Sequence, residues 1–456
     1  MKKILIISII SVMAVAMSSC ASMLDDVSPK HAIPSDKLSE NDLGRLTNGV
    51  LYNMEGFTQS FTQSFWLDGD VLSENYIAGP GGKEVMAHDL TATSSSSTAK
   101  SRWQKGFTTL YDVNSLLSSA GSSSSAAACE ARGTALFCRA YIYFNLTIRF
   151  GCVPLLTATT NNVVPFEISD AHQAKVWARI INDLENAEKE LNNFTSPYYP
   201  SKEACWALLT KVYMWMGDKE NTLIYANKLI GHKSFELSKT STSYAEMFVA
   251  GNTNKEVILS WANKRASGFL TLWEAINDVD GSWTYSPAEK LHSSLFNDSS
   301  YASADHRKAP TFKEDDALPI IKFPNGNDAL GQYVKNTNAS ASPLMVLRLA
   351  DIYLAKAEMQ GEVDGLATME EFMKSRYDSV SLPDAMSAKE YQNLILDENQ
   401  REFFAEGHRW FDIKRTRRTD LYTNWAGDYL LNWPIPQDER DLAGHNNYPQ
   451  NPGYTE

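Results

Sequence analysis

The stretch DENQREFFAEGHRWFDIKRTRR, Asp397 to Arg418, decides how the rest of the chain is read. In it Glu398, Glu402 and Glu406 alternate with Arg401, Arg409 and Arg415, while Phe403, Phe404, Trp410 and Phe411 fall between the charges. Residues three or four apart share a helix face, so the spacing predicts one helical run with carboxylates, guanidiniums and rings on one side. Such a run is either a reaction site or a buried ion-pair scaffold. Glu402 and Glu406 together could run glycoside hydrolysis, but that chemistry needs one carboxyl with a raised pKa. Arg401 and Arg409 lie within one turn of the pair and favour both charged forms, so the stretch reads as a scaffold and no catalytic residue is assigned.

Working outward, 456 residues exceed the roughly 250 to 300 at which single cores stop growing, which predicts two or three lobes or a repeat array. A net charge of −13 argues against a nucleic-acid groove, which needs a cationic surface. No GxGxxG, P-loop, HExxH or GxSxG occurs, and the eight histidines show no ligand-like spacing, so no cofactor or metal is expected.

The N-terminus carries an address. Lys2 and Lys3 precede an apolar run, Ile4 to Met17, too short to span a membrane and suited to a secretory signal. It ends in Met17-Ser18-Ser19-Cys20, which resembles a bacterial lipobox with Met where Leu is usual and implies removal of residues 1–19 and lipidation of Cys20. Ala21 to Ser39 then reads as a polar tether. Cys129, Cys138, Cys152 and Cys205 have no CxxC spacing and read as buried small side chains, with three disulfide pairings formally open.

Helical periodicity runs through Asp42–Met54, Arg102–Ser118, Ala126–Phe150, His172–Leu191, Lys202–Met216 and Glu220–Ile230, with serine runs at Ser94–Ser97 and Ser122–Ser125 as turns. Ala140, Tyr143 and Gly151 share their offsets with Ala350, Tyr353 and Gly361, and Lys202–Ile230 has the helix, Gly-Asp turn and helix of a tetratricopeptide unit. The expected fold is therefore mainly α: tetratricopeptide-like helical hairpins with large loop-rich insertions and minor β. Glu256–Trp261 alternates like a strand, and Asn263–Tyr333 then loses helical periodicity while keeping Trp273, Trp283, Tyr285 and Tyr301. A loop that long and that aromatic is expected to be functional.

Five motifs in order, Arg139–Phe144 with Arg149–Gly151, Val346–Leu354 with Ala357-Glu358, Arg401 to Arg415, Trp433–Pro436 with Glu439, and Gln450–Tyr454, resemble the SusD/RagB family of Bacteroidetes. The resemblance implies a surface-exposed outer-membrane lipoprotein, lipid-anchored and facing the cell exterior. Such a protein captures a nutrient, most often an oligosaccharide or polysaccharide, and passes it to a SusC-like TonB-dependent transporter. It also implies residues 20–240 as an N-terminal region with tetratricopeptide-like helices and residues 241–456 as a C-terminal region with ligand loops, packed as one unit. Asp25 and Asp26 resemble the acidic signal that accompanies surface export. Asp305-His306-Arg307 resembles a family element read as a structural ion pair, and Trp103 with Tyr111 and Asn114 reads as helix packing.

Sugars present C–H faces that suit aromatic rings and hydroxyls that need polar side chains at the rim. Trp273, Trp283 and Tyr285 with Asn277, Asp278 and Asp280 between them supply both, and Trp66 and Tyr76, around the Leu67–Asp70 turn, are further ligand candidates. Three other readings stand beside glycan capture: capture of peptides by the same mechanism, a tetratricopeptide scaffold for another protein, and a glycoside hydrolase.

Overall fold

The computed structural model describes residues 39–58, 65–73, 75–78, 93–249, 251, 253–263, 285–312, 320–323, 341–422 and 425–454. The signal segment, Cys20, the tether and most of the aromatic loop lie outside them.

Helices α1 (Glu40–Thr58), α2 (Phe65–Leu72), α3 (Ser97–Ala120), α4 (Ala126–Phe150), α5 (Asp170–Glu190), α6 (Lys202–Met216) and α7 (Lys219–Leu229) stack mostly in chain order. Each start from α4 to α7 is set by a short polar residue. The side chains of Ser125, Ser169, Ser201 and Asp218 accept from the amides of Ala128, His172, Ala204 and Asn221 at 3.3, 3.2, 3.1 and 3.0 Å. The expected hairpin turn is present: Gly217 closes α6 in the left-handed region at φ 73°, and Asp218 caps α7.

After α8 (Ser241–Glu246), strand β2 (Val257–Asn263) pairs antiparallel with β5 (Ala341–Arg348), placing Val257 opposite Arg348. β5 runs directly into α11 (Leu349–Asp364), which packs on α6 and α7 and so closes the helical stack with a segment far away in sequence. The echo in the sequence is an echo in structure. Ala140 and Ala350 are fully buried in their helices, while Gly151 ends α4 at φ 76° and Gly361 kinks α11 at φ 83°.

Between β2 and β5 the described residues, 285–312 and 320–323, carry more regular structure than their periodicity suggests. They include β3 (Tyr285–Pro287), α9 (Glu289–Ser294), β4 (Ala302–Asp305) and α10 (Lys308–Thr311), elements of three to six residues held by tertiary contacts, which leave no periodic signature. β3 pairs with β1 (Tyr76–Ala78), and β4 pairs with β6 (Tyr377–Val380), which follows α12 (Leu366–Lys374).

The opening stretch is not one helical run. It is α13 (Ala388–Glu402), a turn, and α14 (Arg409–Thr416), because Ala405 at φ 67° and Gly407 at φ 78° reverse the chain between them. The C-terminal segment, with α15 (Gln437–Ala443), packs on the end of α4: the Trp433 amide donates to Arg149 O at 2.8 Å, and Asn451 Nδ2 donates to Phe150 O at 2.9 Å. One continuous apolar cluster runs from Leu43 to Ile435. Cys129, Cys138, Cys152 and Cys205 are all free thiols, the last three buried. No described helix is long and apolar enough to cross a membrane.

Candidate functional site

The antiparallel register of β1 and β3 puts Ala78 opposite Tyr285. The chain therefore leaves toward residue 79 and re-enters from residue 284 at the same end of one ladder. That is the point where two segments far apart in sequence join the ladder.

The ladder is tied down from below. Asp70 on α2 accepts from Asn75 Nδ2 through Oδ1 at 2.7 Å and from the Gly407 amide through Oδ2 at 2.6 Å. Asn75 in turn accepts from Gln400 Nε2 of α13 at 2.7 Å, and its carbonyl accepts from the Ala288 amide, just past β3, at 3.0 Å. One asparagine thus fixes the entry to β1, the exit of β3 and the C-terminal helix. Burial pushes the Asp70 carboxyl up to about 7 in spite of the bonds from Asn75 and Gly407. The backbones approach closely here: a Cβ on Gly69 would sit 1.9 Å from Gly407 O.

Beneath lies a buried charge network. Glu402 has no solvent exposure, and its Oε1 accepts from Arg348 Nη1 at 2.6 Å while its Oε2 accepts from Arg376 Nε at 2.8 Å and Arg307 Nη1 at 3.1 Å. Glu406 accepts from Arg348 Nη2 at 2.7 Å and from Lys322 Nζ at 2.8 Å; Glu256 accepts from Arg348 at 3.0 Å and Arg376 at 2.6 Å. Arg307 also binds Glu398 at 2.8 Å and Asp305 at 2.7 Å, the structural ion pair expected of Asp305-His306-Arg307. Burial alone would raise the Glu402 carboxyl, but the guanidiniums of Arg376, Arg348 and Arg307 outweigh it and hold the acid well below the usual range. The expected stabilisation by Arg401 and Arg409 is replaced by distant partners: Arg401 pairs with Glu398 at 2.8 Å, and Arg409 donates to Leu396 O at 2.9 Å. A helical spacing cannot announce partners such as Arg307, Lys322, Arg348 and Arg376, which come from other segments.

Of the ligand candidates, Trp273, Trp283, Asn277 and Asp280 lie outside the described residues, as do the side chains of Trp66 and Tyr285; the backbones of those two lie in α2 and β3. Tyr76 corrects its expectation. It is 0% exposed, edge-to-face on Phe404 with ring centroids 5.7 Å apart, so no face of it is left for a ligand. The Leu67–Asp70 turn is corrected as well: it is part of α2, and Asp68 is buried between Arg102 at 2.8 Å and Arg149 at 3.0 Å. Trp103 is buried against Phe107 and Phe150, as helix packing requires, and Trp261 points inward against Tyr141. Sequence reasoning missed Asp70, Asn75 and Gln400; the Gly69 between two acids was the one signal of a close approach. Among the described residues no group of His, Cys, Asp and Glu could hold a metal ion.

Residues 24–214 match a family model described as starch-binding associating with outer membrane, and residues 291–432 match the SusD family model. A SusD-like protein of Formosa agariphila is 24% identical, the match covering 91% of this chain and 92% of that protein. A SusD superfamily crystal structure from Bacteroides thetaiotaomicron superposes with TM-score 0.73 at 19% identity, covering 91% of this chain and 100% of that one. A laminarin-binding SusD-like protein superposes with TM-score 0.70 at 20% identity, covering 91% and 99%.

Proposed function

The chain belongs to the SusD/RagB family, and from that premise we propose that it is a cell-surface lipoprotein that captures oligosaccharides or polysaccharides and hands them to a SusC-like TonB-dependent transporter. The observation that carries the reading is the β1–β3 register. The segment holding Trp273, Asn277, Asp280 and Trp283 runs into Tyr285, which pairs with Ala78, and this pairing supports a ligand site built where the two segments join the ladder. The laminarin-binding relative supports a glycan ligand. Ligand contacts are assigned to Trp273, Trp283, Tyr285, Asn277 and Asp280, with Trp66 as an outlying contact on α2.

Lipidation at Cys20 supplies several acyl chains, where one would bind a membrane only marginally. The anchor holds the N-terminal and C-terminal regions, residues 20–240 and 241–456, outside the cell as one unit. Catalysis forms no part of the reading, because Glu402 is held as an anion by three guanidiniums and has no proton to give.

Affinity electrophoresis of the mature chain against a polysaccharide panel that includes laminarin tests the proposal. Replacing Trp273 and Trp283 with Ala should abolish retardation while the melting temperature stays within a few degrees of the parent. Retention unchanged by both substitutions places capture elsewhere, and binding of peptides in place of glycans replaces the ligand class.

A further inference from the structure

A cavity lies between α4, α6, the β5–α11 junction and the Phe403–His408 turn, with Gly407, whose amide holds Asp70, on its wall. Its volume is about 110 Å³, room for a single small ligand and below the roughly 300 to 1,000 Å³ of drug-sized sites. None of the described ladder residues lines it.

Its walls are of two kinds. Tyr141, Met214, Trp215 and Met345 are partly exposed and line it with carbon and ring surface. Phe144 meets the Trp215 ring edge-to-face at 6.2 Å and Tyr141 meets Trp261 at 5.9 Å, so the rings are held in place by other rings. One turn along α6 from Trp215 is a polar corner: Lys211 Nζ lies 2.5 Å from Asp351 Oδ1, and His408 Nδ1 lies 3.9 Å from the same oxygen. Burial and the nearby Lys211 charge hold the His408 imidazole well below its usual value, so it presents one donor and one acceptor at neutral pH.

The charges on the wall are compensated. Lys211 is paired with Asp351, Glu406 with Arg348 and Lys322, Glu358 and Asp412 with Arg415, and Arg149 with Asp68. A charged ligand would have to strand one member of a pair at the cost of a buried unpaired charge. A hydroxyl both gives and accepts, so adjacent hydroxyls can bridge a Lys–Asp pair without disturbing it. A purely apolar ligand would leave the polar corner unsatisfied.

From this combination we infer that the cavity is a second binding site, for one neutral polyol of monosaccharide size, with its C–H face on Trp215 and Tyr141 and its hydroxyls on Lys211, Asp351 and His408. The inference stands on the cavity alone and does not depend on glycan capture at the ladder.

The test is ligand-observed NMR on the mature chain, titrating methyl β-D-glucopyranoside, methyl β-D-galactopyranoside and methyl α-D-mannopyranoside, with methylammonium and acetate as charged probes. At least one pyranoside should saturate in the millimolar range, the weak end of specific affinity, and neither ion should. Trp215→Ala should weaken that binding at least tenfold and Met345→Trp, which fills the mouth, should abolish it, while both variants keep the parent melting temperature within a few degrees and its retardation by polysaccharide. No saturation by any pyranoside, saturation by an ion instead, or pyranoside binding that both variants leave unchanged overturns the site. Binding lost in the Trp273 and Trp283 substitutions but kept in these two belongs to the ladder, which removes the cavity proposal and leaves glycan capture standing.

Discussion

Arg348 Nη1 lies 2.6 Å from Glu402 Oε1 although 54 residues separate the two in sequence. The same guanidinium reaches Glu256 and Glu406, so one side chain at the end of β5 joins the residue before β2, α13 and the turn before α14. Arg348→Met takes one cation from three buried carboxylates, leaving Glu402 with Arg376 and Arg307, Glu406 with Lys322 and Glu256 with Arg376, and the cluster one positive charge short. The expected loss is about 3 to 5 kcal/mol, read as a shift in the denaturant midpoint at unchanged slope. A loss below about 1 kcal/mol would mean that the cluster is solvated and dispensable.

That cluster marks the boundary between what could and could not be read from the chain. Helices with an apolar stripe were visible: Ala126–Phe150 and Lys202–Met216 stand where periodicity put them, whereas the caps Ser125 and Ser201 came from the structure. The buried-scaffold reading of Asp397–Arg418 was legible in its alternation of charges and rings, although the guanidiniums that hold Glu402 are not the Arg401 and Arg409 of that stretch. Its partners were not, because Arg307, Lys322, Arg348 and Arg376 come from segments whose proximity only the fold creates. For the same reason Tyr76 looked like a binding ring in a polar neighbourhood, whereas Phe404, distant in sequence, covers it.

Two glycines make opposite predictions. Gly49 is an exposed position inside α1 with nothing within 4 Å of an added Cβ, so Gly49→Ala should stabilise by about 0.5 to 1 kcal/mol through helix propensity. Gly69→Ala drives a methyl into Gly407 O and should cost about 1 to 3 kcal/mol or prevent folding. Thermal melts of the two variants decide, and equal effects would refute the close approach of α2 to the Phe403–His408 turn.

Acid should reveal the Glu402 network. Its folded pKa is held well below the usual carboxylate value of 4.5, so its contribution is fully present above about pH 5 and is lost as pH falls toward the folded value. Chemical denaturation between pH 7 and pH 3 should show falling stability, with a shallower slope in Glu402→Gln. Parallel slopes for parent and variant would remove Glu402 from the titrating set.

Asp70 works with the other sign. Its folded carboxyl is raised from 3.8 to about 7, so between those values the folded state holds the proton more often than the unfolded chain and stability declines as pH climbs through that window. Relative to Asp70→Asn, the parent should lose ground from about pH 4 to about pH 7 and hold a constant difference above it. A difference independent of pH would show that the Asn75 and Gly407 bonds keep Asp70 ionised throughout.

The link from scaffold to ligand runs through Gln400, whose partly buried amide holds Asn75 at 2.7 Å. Gln400→Ala leaves every buried ion pair of Glu398 and Glu402 in place, so the melting temperature should fall by only a few degrees, in line with the roughly 1 kcal/mol of one hydrogen bond. What it removes is the fixed start of β1, and with it the alignment of the two segments that attach at Ala78 and Tyr285. On the proposed function, glycan affinity should therefore drop by more than the stability loss explains, with Gln400→Glu, which keeps the reach and removes the donor, behaving like Ala. Unchanged affinity in both variants would show that the ladder is not the base of the binding loops.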